Sequence, residues 1–353
     1  MTIHFNPRAR QCRSIGALLA LGAAALLAAS PAHAQAQDLY ISDFDNSQIV
    51  EYNSGGAAAR TLLSGGVYIH PNGIAFAGSS LFVNAADPGT GNAGVYRYDL
   101  TNPSAAPTLF ASDGNGVLSG LAFGGGNLYA ADSQQGQVLE FDGTTGALIT
   151  SFGSGTLTSP AGLAFFGNTL YVSDGGANDV VSFNASGTSA QTFVAAGAGG
   201  LQSPGFLAFD ANGSLYVAQG QGAATSQNPP NGNGAVLRFN GPSSGSPGTF
   251  QSVFASDAGL NNPYGLAFSP SGTLFVGDRD SNGNPNAGGN AGGHFDQFST
   301  DGTFQQSFAF ANGSGNPYGL AFGPASAPEP SAALALGIGV AFLGLRLAAR
   351  RRA

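Results

Sequence analysis

One short motif recurs along most of this chain and restricts what it can fold into. The segments GIAF (from Gly73), GLAF (Gly120), GLAF (Gly162), FLAF (Phe206), GLAF (Gly265) and GLAF (Gly319) return at intervals. A second family of segments runs LYISD (Leu39), LFVNA (Leu81), LYAAD (Leu128), LYVSD (Leu170), LYVAQ (Leu215) and LFVGD (Leu274). A third runs IVEYN (Ile49), VYRYD (Val95), VLEFD (Val138), VVSFN (Val180), VLRFN (Val236) and HFDQFS (His294). Weaker fourth segments follow, such as RTLL, PTLF, LITSF and QTFV. Each is short, rich in β-branched and aromatic residues, and bounded by Gly, Asn, Asp or Pro, which is the chemistry of strands and turns. No stretch of the body has the periodicity of a helix.

Four short antiparallel strands per repeat, at a period of roughly 42–59 residues, predict the blade of a β-propeller. The count is six blades, but the two ends are out of step. Second, third and fourth segments begin at Leu39, before any first segment. NPYGLAF occurs at Asn262–Phe268 and again at Asn316–Phe322, where the repeat is abandoned after one strand. If the ends meet, that spare inner strand completes the deficient N-terminal blade and closes the ring. Closure removes sheet edges that would otherwise template aggregation. Side chains alternate along a strand, so Leu266 and Phe268 should face one neighbouring blade and Gly265 and Ala267 the other. Pro71, Pro160, Pro204, Pro263 and Pro317 preset the turn into the inner strand. Ser119 in LSGLAF and Phe206 in place of Gly mark local departures.

The pattern P-x-G-L-A-F, L-Y-V-S-D, V-x-x-F resembles the NHL repeat and related six-bladed propellers, over Leu39 to Phe322. The resemblance implies the fold and leaves function open, because binding modules, lactonases and lyases share this architecture.

The two ends read as targeting signals. Arg8, Arg10 and Arg13 precede the apolar run SIGALLALGAAALLAAS, and Ala32-His33-Ala34 supplies small residues for cleavage after Ala34. Residues 1–34 are thus expected to be a signal peptide and 35–325 the propeller. Cys12 precedes the apolar run, so the processed chain would contain no cysteine and no disulfide. Residues 326–353 form the third unit. Pro328-Glu329-Pro330 is followed by the apolar stretch 332–349, broken only by Arg346, and then by Arg350, Arg351 and Arg352. As a helix that stretch would span about 27 Å, close to a bilayer's hydrocarbon core. The arginines should stay cytoplasmic and leave the body outside. The bland alternative is a simple tail anchor.

This tripartite tail resembles the PEP-CTERM sorting signal of Gram-negative bacteria. The resemblance implies export by the Sec machinery, processing by exosortase at or near Pro-Glu-Pro, and a link to exopolysaccharide and biofilm. It further implies a cell-envelope, cell-surface or extracellular location. Removing residues 1–34 and 328–353 takes seven arginines and Glu329, leaving four arginines against eighteen acidic residues and a net charge of −14. Such a body repels nucleic acid and anionic membrane surfaces.

Chemistry has few places to sit. Asp278-Arg279-Asp280-Ser281-Asn282-Gly283 matches the first half of a calcium loop, with Asp278, Asp280, Asn282 and Asn284 as oxygen donors. The closing Glu is missing, with Gly289 in its place, so an EF-hand is excluded. The alternative is an Asx-rich turn. Asp43, Asp132, Asp174 and Asp278 all end second segments, where turn bonding is the simpler expectation. Two long Gly/Asn-rich insertions, Gln219–Ala235 and Asp278–His294, would decorate one face as a binding rim or as tolerated loops. Tyr264, Tyr318 and His70 precede inner strands and should stand at the funnel mouth. There they would serve as ligand-stacking residues or as ordinary packing and turn residues. No mature Cys exists, and Glu51 and Glu140 lie in third segments, away from the axis. The expectation is therefore an exported, non-enzymatic binding or scaffold propeller, with exopolysaccharide or another surface protein as partner. The alternative is a metal-dependent, lactonase-like hydrolase or lyase.

Overall fold

The computed structural model describes residues 37–53, 57–64, 69–112, 114, 117–220, 234–256, 260–279, 293–310 and 315–323. The signal peptide with Ala34, and the tail with Pro328, Glu329, Pro330 and Arg350–Arg352, lie outside the described residues. Among the described residues no helix is long and apolar enough to cross a membrane.

The chain opens with β1 (Leu39–Asp43), β2 (Gln48–Tyr52) and β3 (Ala58–Ser64). Blade 1 follows as β4 (Ile74–Ala77), β5 (Ser80–Ala86), β6 (Ala93–Asp99) and β7 (Thr108–Ala111). Blade 2 is β8 (Leu118–Gly124), β9 (Asn127–Asp132), β10 (Gln137–Asp142) and β11 (Leu148–Phe152). Blade 3 is β12 (Pro160–Phe166), β13 (Thr169–Asp174), β14 (Asp179–Asn184) and β15 (Gln191–Val194). Blade 4 is β16 (Pro204–Phe209), β17 (Leu215–Gln219), β18 (Ala235–Phe239) and β19 (Phe250–Ala255). Blade 5 is β20 (Pro263–Phe268), β21 (Leu274–Asp278), β22 (His294–Phe298) and β23 (Phe304–Ala309). The last strand, β24 (Pro317–Phe322), joins the first three as blade 6, in the order β24-β1-β2-β3. Six four-stranded antiparallel sheets result, so the chain is a six-bladed β-propeller.

The spare strand does what the repeat arithmetic predicts. Leu39 sits opposite Phe322, Tyr40 opposite Ala321 and Ile41 opposite Leu320. Backbone bonds extend the seam at both ends: Phe44 N donates to Asn316 O at 3.0 Å, and Gly323 N to Asp38 O at 2.9 Å. Each inner strand also packs against the inner strands of both neighbouring blades, β24 against β4 included.

The inner-strand motif explains how the blades meet. Leu266 and half-buried Phe268 pack with Tyr216, Ala218 and Val236 of blade 4. Ala267 faces the other way, with Ile41, Val50 and Leu320 of blade 6. A side chain at Gly265 would collide with the Tyr318 carbonyl, and one at Gly319 with the Asn72 carbonyl. Glycine is needed here because the inner strands approach too closely for a Cβ. Burying each large aliphatic or Phe side chain between blades contributes about 1.5–3 kcal/mol.

A second device joins three of the blades to their neighbours, through a polar side chain near the end of the second strand. Buried Ser42 accepts across the seam from Gly319 N at 2.7 Å and donates to Asn72 O of blade 1. Ser173 repeats this between blades 3 and 4, accepting from Gly162 N at 2.8 Å and donating to Gly205 O at 2.5 Å. Asn84 Nδ2 donates to Ser119 O at 2.8 Å between blades 1 and 2. Blade 2 carries Ala131 at this position, and Ser119 Oγ instead reaches Ala161 O at 2.9 Å. Blades 4 and 5 carry Ala218 and Gly277, which have no polar side chain to offer.

Candidate binding site at the mouth of the funnel

The loops entering inner strands and those leaving second strands share one face, because the terminal residue of the second strand holds the incoming loop. Asp174 accepts from Thr158 N at 2.6 Å and Ser159 N at 2.8 Å. Asp278 accepts from Asn261 N and Asn262 N, each at 2.7 Å. Asp43 accepts from Asn316 N at 3.0 Å. Gln219 fills the same place in blade 4, where its Oε1 accepts from Gln202 N at 3.1 Å. Asp132 instead closes its own turn, accepting from Gln134 N and Gln135 N at 3.1 Å. These carboxylates are anchors for loops, in line with the turn-residue expectation.

Of the calcium-loop residues, Asp280, Asn282 and Asn284 lie outside the described residues. Asp278 is fully buried, and its two oxygens are each taken by a backbone amide. Burial pushes its pKa up to about 6, against the opposing pull of nearby His294 and the two amides. His294 Nε2 lies 3.2 Å from Asp296 and 3.8 Å from Asp278, behind the loop. Among the described residues no group of three or more His, Cys, Asp or Glu is arranged to hold a metal ion. Glu51 is paired with Arg60, and Glu140 accepts from Asn127 and Tyr129, both on third strands.

The residue just before each inner-strand glycine shapes the mouth. Around the ring it is Asn72, Ser119, Ala161, Gly205, Tyr264 and Tyr318, with Phe206 standing in blade 4, in the same register, where the other blades carry glycine. The mouth is therefore lopsided: blades 5 and 6 place half-buried tyrosines at a ring position that blades 2 to 4 fill with the small, buried Ser119, Ala161 and Gly205. Tyr264 leans over Gly205, where a Cβ would lie 2.8 Å from its ring.

The structure brings Tyr264, Tyr318 and His70 into one arc, together with two rings the sequence reading did not place there. Phe206 to Tyr264 is 5.1 Å between centroids, and Tyr264 to Tyr318 is 5.1 Å. Tyr318 stacks on Phe44 at 4.5 Å, and Phe44 on His70 at 4.5 Å with only 16° between planes. Phe44 is thus covered on both faces. The exposed His70 ends the stack and adopts φ +54°, a left-handed conformation uncommon for a non-glycine residue. The arc crosses from blade 4 to blade 1 and passes over the N-to-C seam.

Arg279 caps it. Its guanidinium lies 3.7 Å from the centroid of Tyr264 and 4.6 Å from that of Tyr318. Its backbone N donates to Asn262 O at 3.0 Å, which fixes where the side chain starts. Arg279 Nη2 reaches Asn262 Oδ1 at 3.4 Å, a long contact. Burial raises the Tyr264 pKa, while the Arg279 charge opposes the rise. A stacked guanidinium on a partly desolvated aromatic face is a cation–π pair worth about 1–2 kcal/mol. Sequence reading missed Arg279 as a site residue because it sits inside the calcium-like stretch. The usable signal was its rarity, as one of four arginines in the body.

No family model matches the chain, and a search of curated proteins found no match. Solved structures do match in fold. A chain from the crystal structure of the nidogen/laminin complex superposes with a TM-score of 0.60 at 15% identity, over 82% of this chain and 100% of its own length. A protein of unknown function from Bacteroides caccae superposes with a TM-score of 0.60 at 13% identity, over 81% of this chain and 98% of its own. At such identities the likeness concerns the fold alone.

Proposed function

We propose that this chain is an exported, non-enzymatic propeller that presents the mouth of its funnel to a ligand outside the inner membrane. In this reading residues 1–34 direct export through the Sec machinery. Residues 332–349 hold the chain in the membrane until exosortase acts near Pro328-Glu329-Pro330. The body then serves at the cell surface or in the extracellular matrix, with exopolysaccharide or a surface protein as partner. The observation that carries the binding role is the Arg279–Tyr264–Tyr318 cluster at the lopsided mouth. It gathers aromatic surface and a cation where the inner strands of blades 5 and 6 meet. The nidogen/laminin complex supplies a solved case of a chain of similar fold within a protein complex.

The test is fractionation of a Gram-negative host making the tagged full chain or a form lacking residues 328–353. The full chain should stay with the envelope or matrix and the truncated form should be released. Identical fractionation of the two would defeat sorting by this tail. In parallel, opening of an aliphatic lactone by the purified chain, lost on chelation of calcium, would favour the hydrolase alternative over the binding reading.

A further inference from the structure

Each loop-anchoring carboxylate at the end of a second strand faces one residue of the third strand, and that residue follows a rule. Asp43 faces Gln48, whose Nε2 donates to Asp43 Oδ2 at 2.7 Å. Asp132 faces Gln137, whose Nε2 donates to Asp132 Oδ2 at 3.3 Å. Asp278 faces His294, whose Nε2 is 3.8 Å away. Blades 1 and 4 carry Ala85 and Gln219 in the anchor place, and the small residues Gly94 and Ala235 face them. An anchor carboxylate thus meets a nitrogen-bearing side chain in every blade that has one, except blade 3. There Asp174 faces Asp179.

An ionised Asp179 has no hydrogen to offer. Its Oδ1 is buried without a partner among the described residues, and Asp174 is fully buried. When two carboxyl groups are set face to face, one of them keeps its proton. Asp174 is the one suited to stay ionised. Its Oδ1 accepts from Ser159 N at 2.8 Å and Gly176 N at 3.0 Å, and its Oδ2 accepts from Thr158 N at 2.6 Å. Oδ2 is also the atom that takes the glutamine amide in blades 6 and 2. A protonated Asp179 supplies the missing donor as an O–H. No other titratable group faces it among the described residues, since β15 and the loops at 153–159, 175–178 and 195–203 carry none.

The turn between the two carboxyl groups ties two blades together. Asp174 holds Thr158 and Ser159, which lead into the inner strand of blade 3. Asn178, next to Asp179 and left-handed at φ +60°, holds the loop leading into the inner strand of blade 4. Its carbonyl accepts from Gly197 N at 3.0 Å, and its Oδ1 accepts from Ser203 N at 2.7 Å. We propose that Asp174 and Asp179 share one proton, and that this proton latches the entry loops of blades 3 and 4 on the mouth face. Losing it sets two negative charges against each other, parts the ends of β13 and β14, and frees the blade 4 loop from Asn178. Burial and the Asp174 charge hold the Asp179 carboxyl near a pKa of about 6, above that of a free aspartate. The latch is therefore closed below about pH 4 and opens as the pH rises through about 6. It operates whatever the mouth binds.

Hydrogen exchange of the full chain, held in a polyoxyethylene detergent, tests this at about pH 4.5 and about pH 7.5, with rates corrected for the intrinsic pH dependence of amides. Peptides covering residues 195–203 should lose protection by about tenfold at the higher pH, a figure that allows for solvent screening of a half-buried carboxyl. Peptides covering residues 133–136, beside the Asp132–Gln137 pair, should keep theirs. Asp179→Gln installs the donor of blades 6 and 2 and should hold residues 195–203 equally well at both pH values. Equal protection of 195–203 at both pH values in the parent overturns the latch, as does a loss that persists in Asp179→Gln. A matching loss at 133–136 would mean general loosening and would overturn it as well. Should Asp179→Gln fail to fold, the two segments of the parent still decide the matter.

Discussion

Ser42 is the side chain whose removal most directly probes how the ring is held. It is fully buried at the N-to-C seam, accepts from Gly319 N at 2.7 Å and donates to Asn72 O. Ser42→Ala removes one hydroxyl and strands the buried Gly319 N and the half-buried Asn72 O, on two different blades. Each unsatisfied group costs about 1–3 kcal/mol, so the substitution should cost about 2–6 kcal/mol. For a body of this size that is a fall in Tm of roughly 3–10 °C. The molecule contains its own replicate. Ser173 makes the same pair of bonds between blades 3 and 4, so Ser173→Ala should cost about as much. Ser186→Ala, on an exposed turn, should stay within about 0.5 kcal/mol. Urea unfolding followed by circular dichroism gives all three, with the midpoint shifting and the slope unchanged. If Ser42→Ala and Ser173→Ala melt like Ser186→Ala, the inter-blade hydroxyls are spectators and the reasoning fails.

Two further substitutions test the carboxylates. Burial, with the nearby Asp174 charge adding to it, pushes the Asp179 pKa up to about 6. A raised folded-state pKa means that the native state binds more protons than the unfolded state between about pH 4 and pH 6. Ionisation of Asp179 therefore lowers stability as pH rises through that window. Asp179→Asn should equal the parent near pH 4 and exceed it by about 1–2 kcal/mol at pH 7. A gain that is the same at both pH values would contradict the electrostatic cause. Asp278→Asn replaces one of two amide-accepting oxygens with a donor, which sets an NH₂ against Asn261 N or Asn262 N. It should destabilise the chain by about 1–3 kcal/mol. Faster amide exchange at residues 261 and 262 would locate the damage, and protection equal to the parent would argue against the anchor role.

The fold was legible because each blade repeats the same local chemistry, and because one strand at Gly319 had no repeat of its own to join. The alternation of Leu266 and Phe268 against Gly265 and Ala267 also translated directly into which blade each side chain meets. What stayed hidden depends on contacts between blades. Ser42 and Ser173 read as ordinary strand residues, since nothing local says that a hydroxyl will face a neighbour's carbonyl. Phe206 was visible as an anomaly, but only the structure shows that it keeps the common register and that its ring meets Tyr264. Tyr264, Tyr318 and His70 were placed at the mouth from their position before inner strands. That they join Phe44 in one stack follows from ring closure, which brings residues 44 and 318 together from opposite ends of the chain. Arg279 was masked by its neighbours in sequence and identified by its neighbours in space.

The central claim is that the first and last strands of the body pair in one register. In a Cys12→Ser background, Leu39→Cys with Phe322→Cys places two thiols on residues directly opposite each other. Opposed residues in an antiparallel pair lie about 4.5–5.5 Å apart at Cα, within disulfide range. Mild oxidation should close the bond and give a faster, reductant-sensitive band on a denaturing gel. A chain that melts like its parent yet forms no bond between positions 39 and 322 would contradict the closed ring.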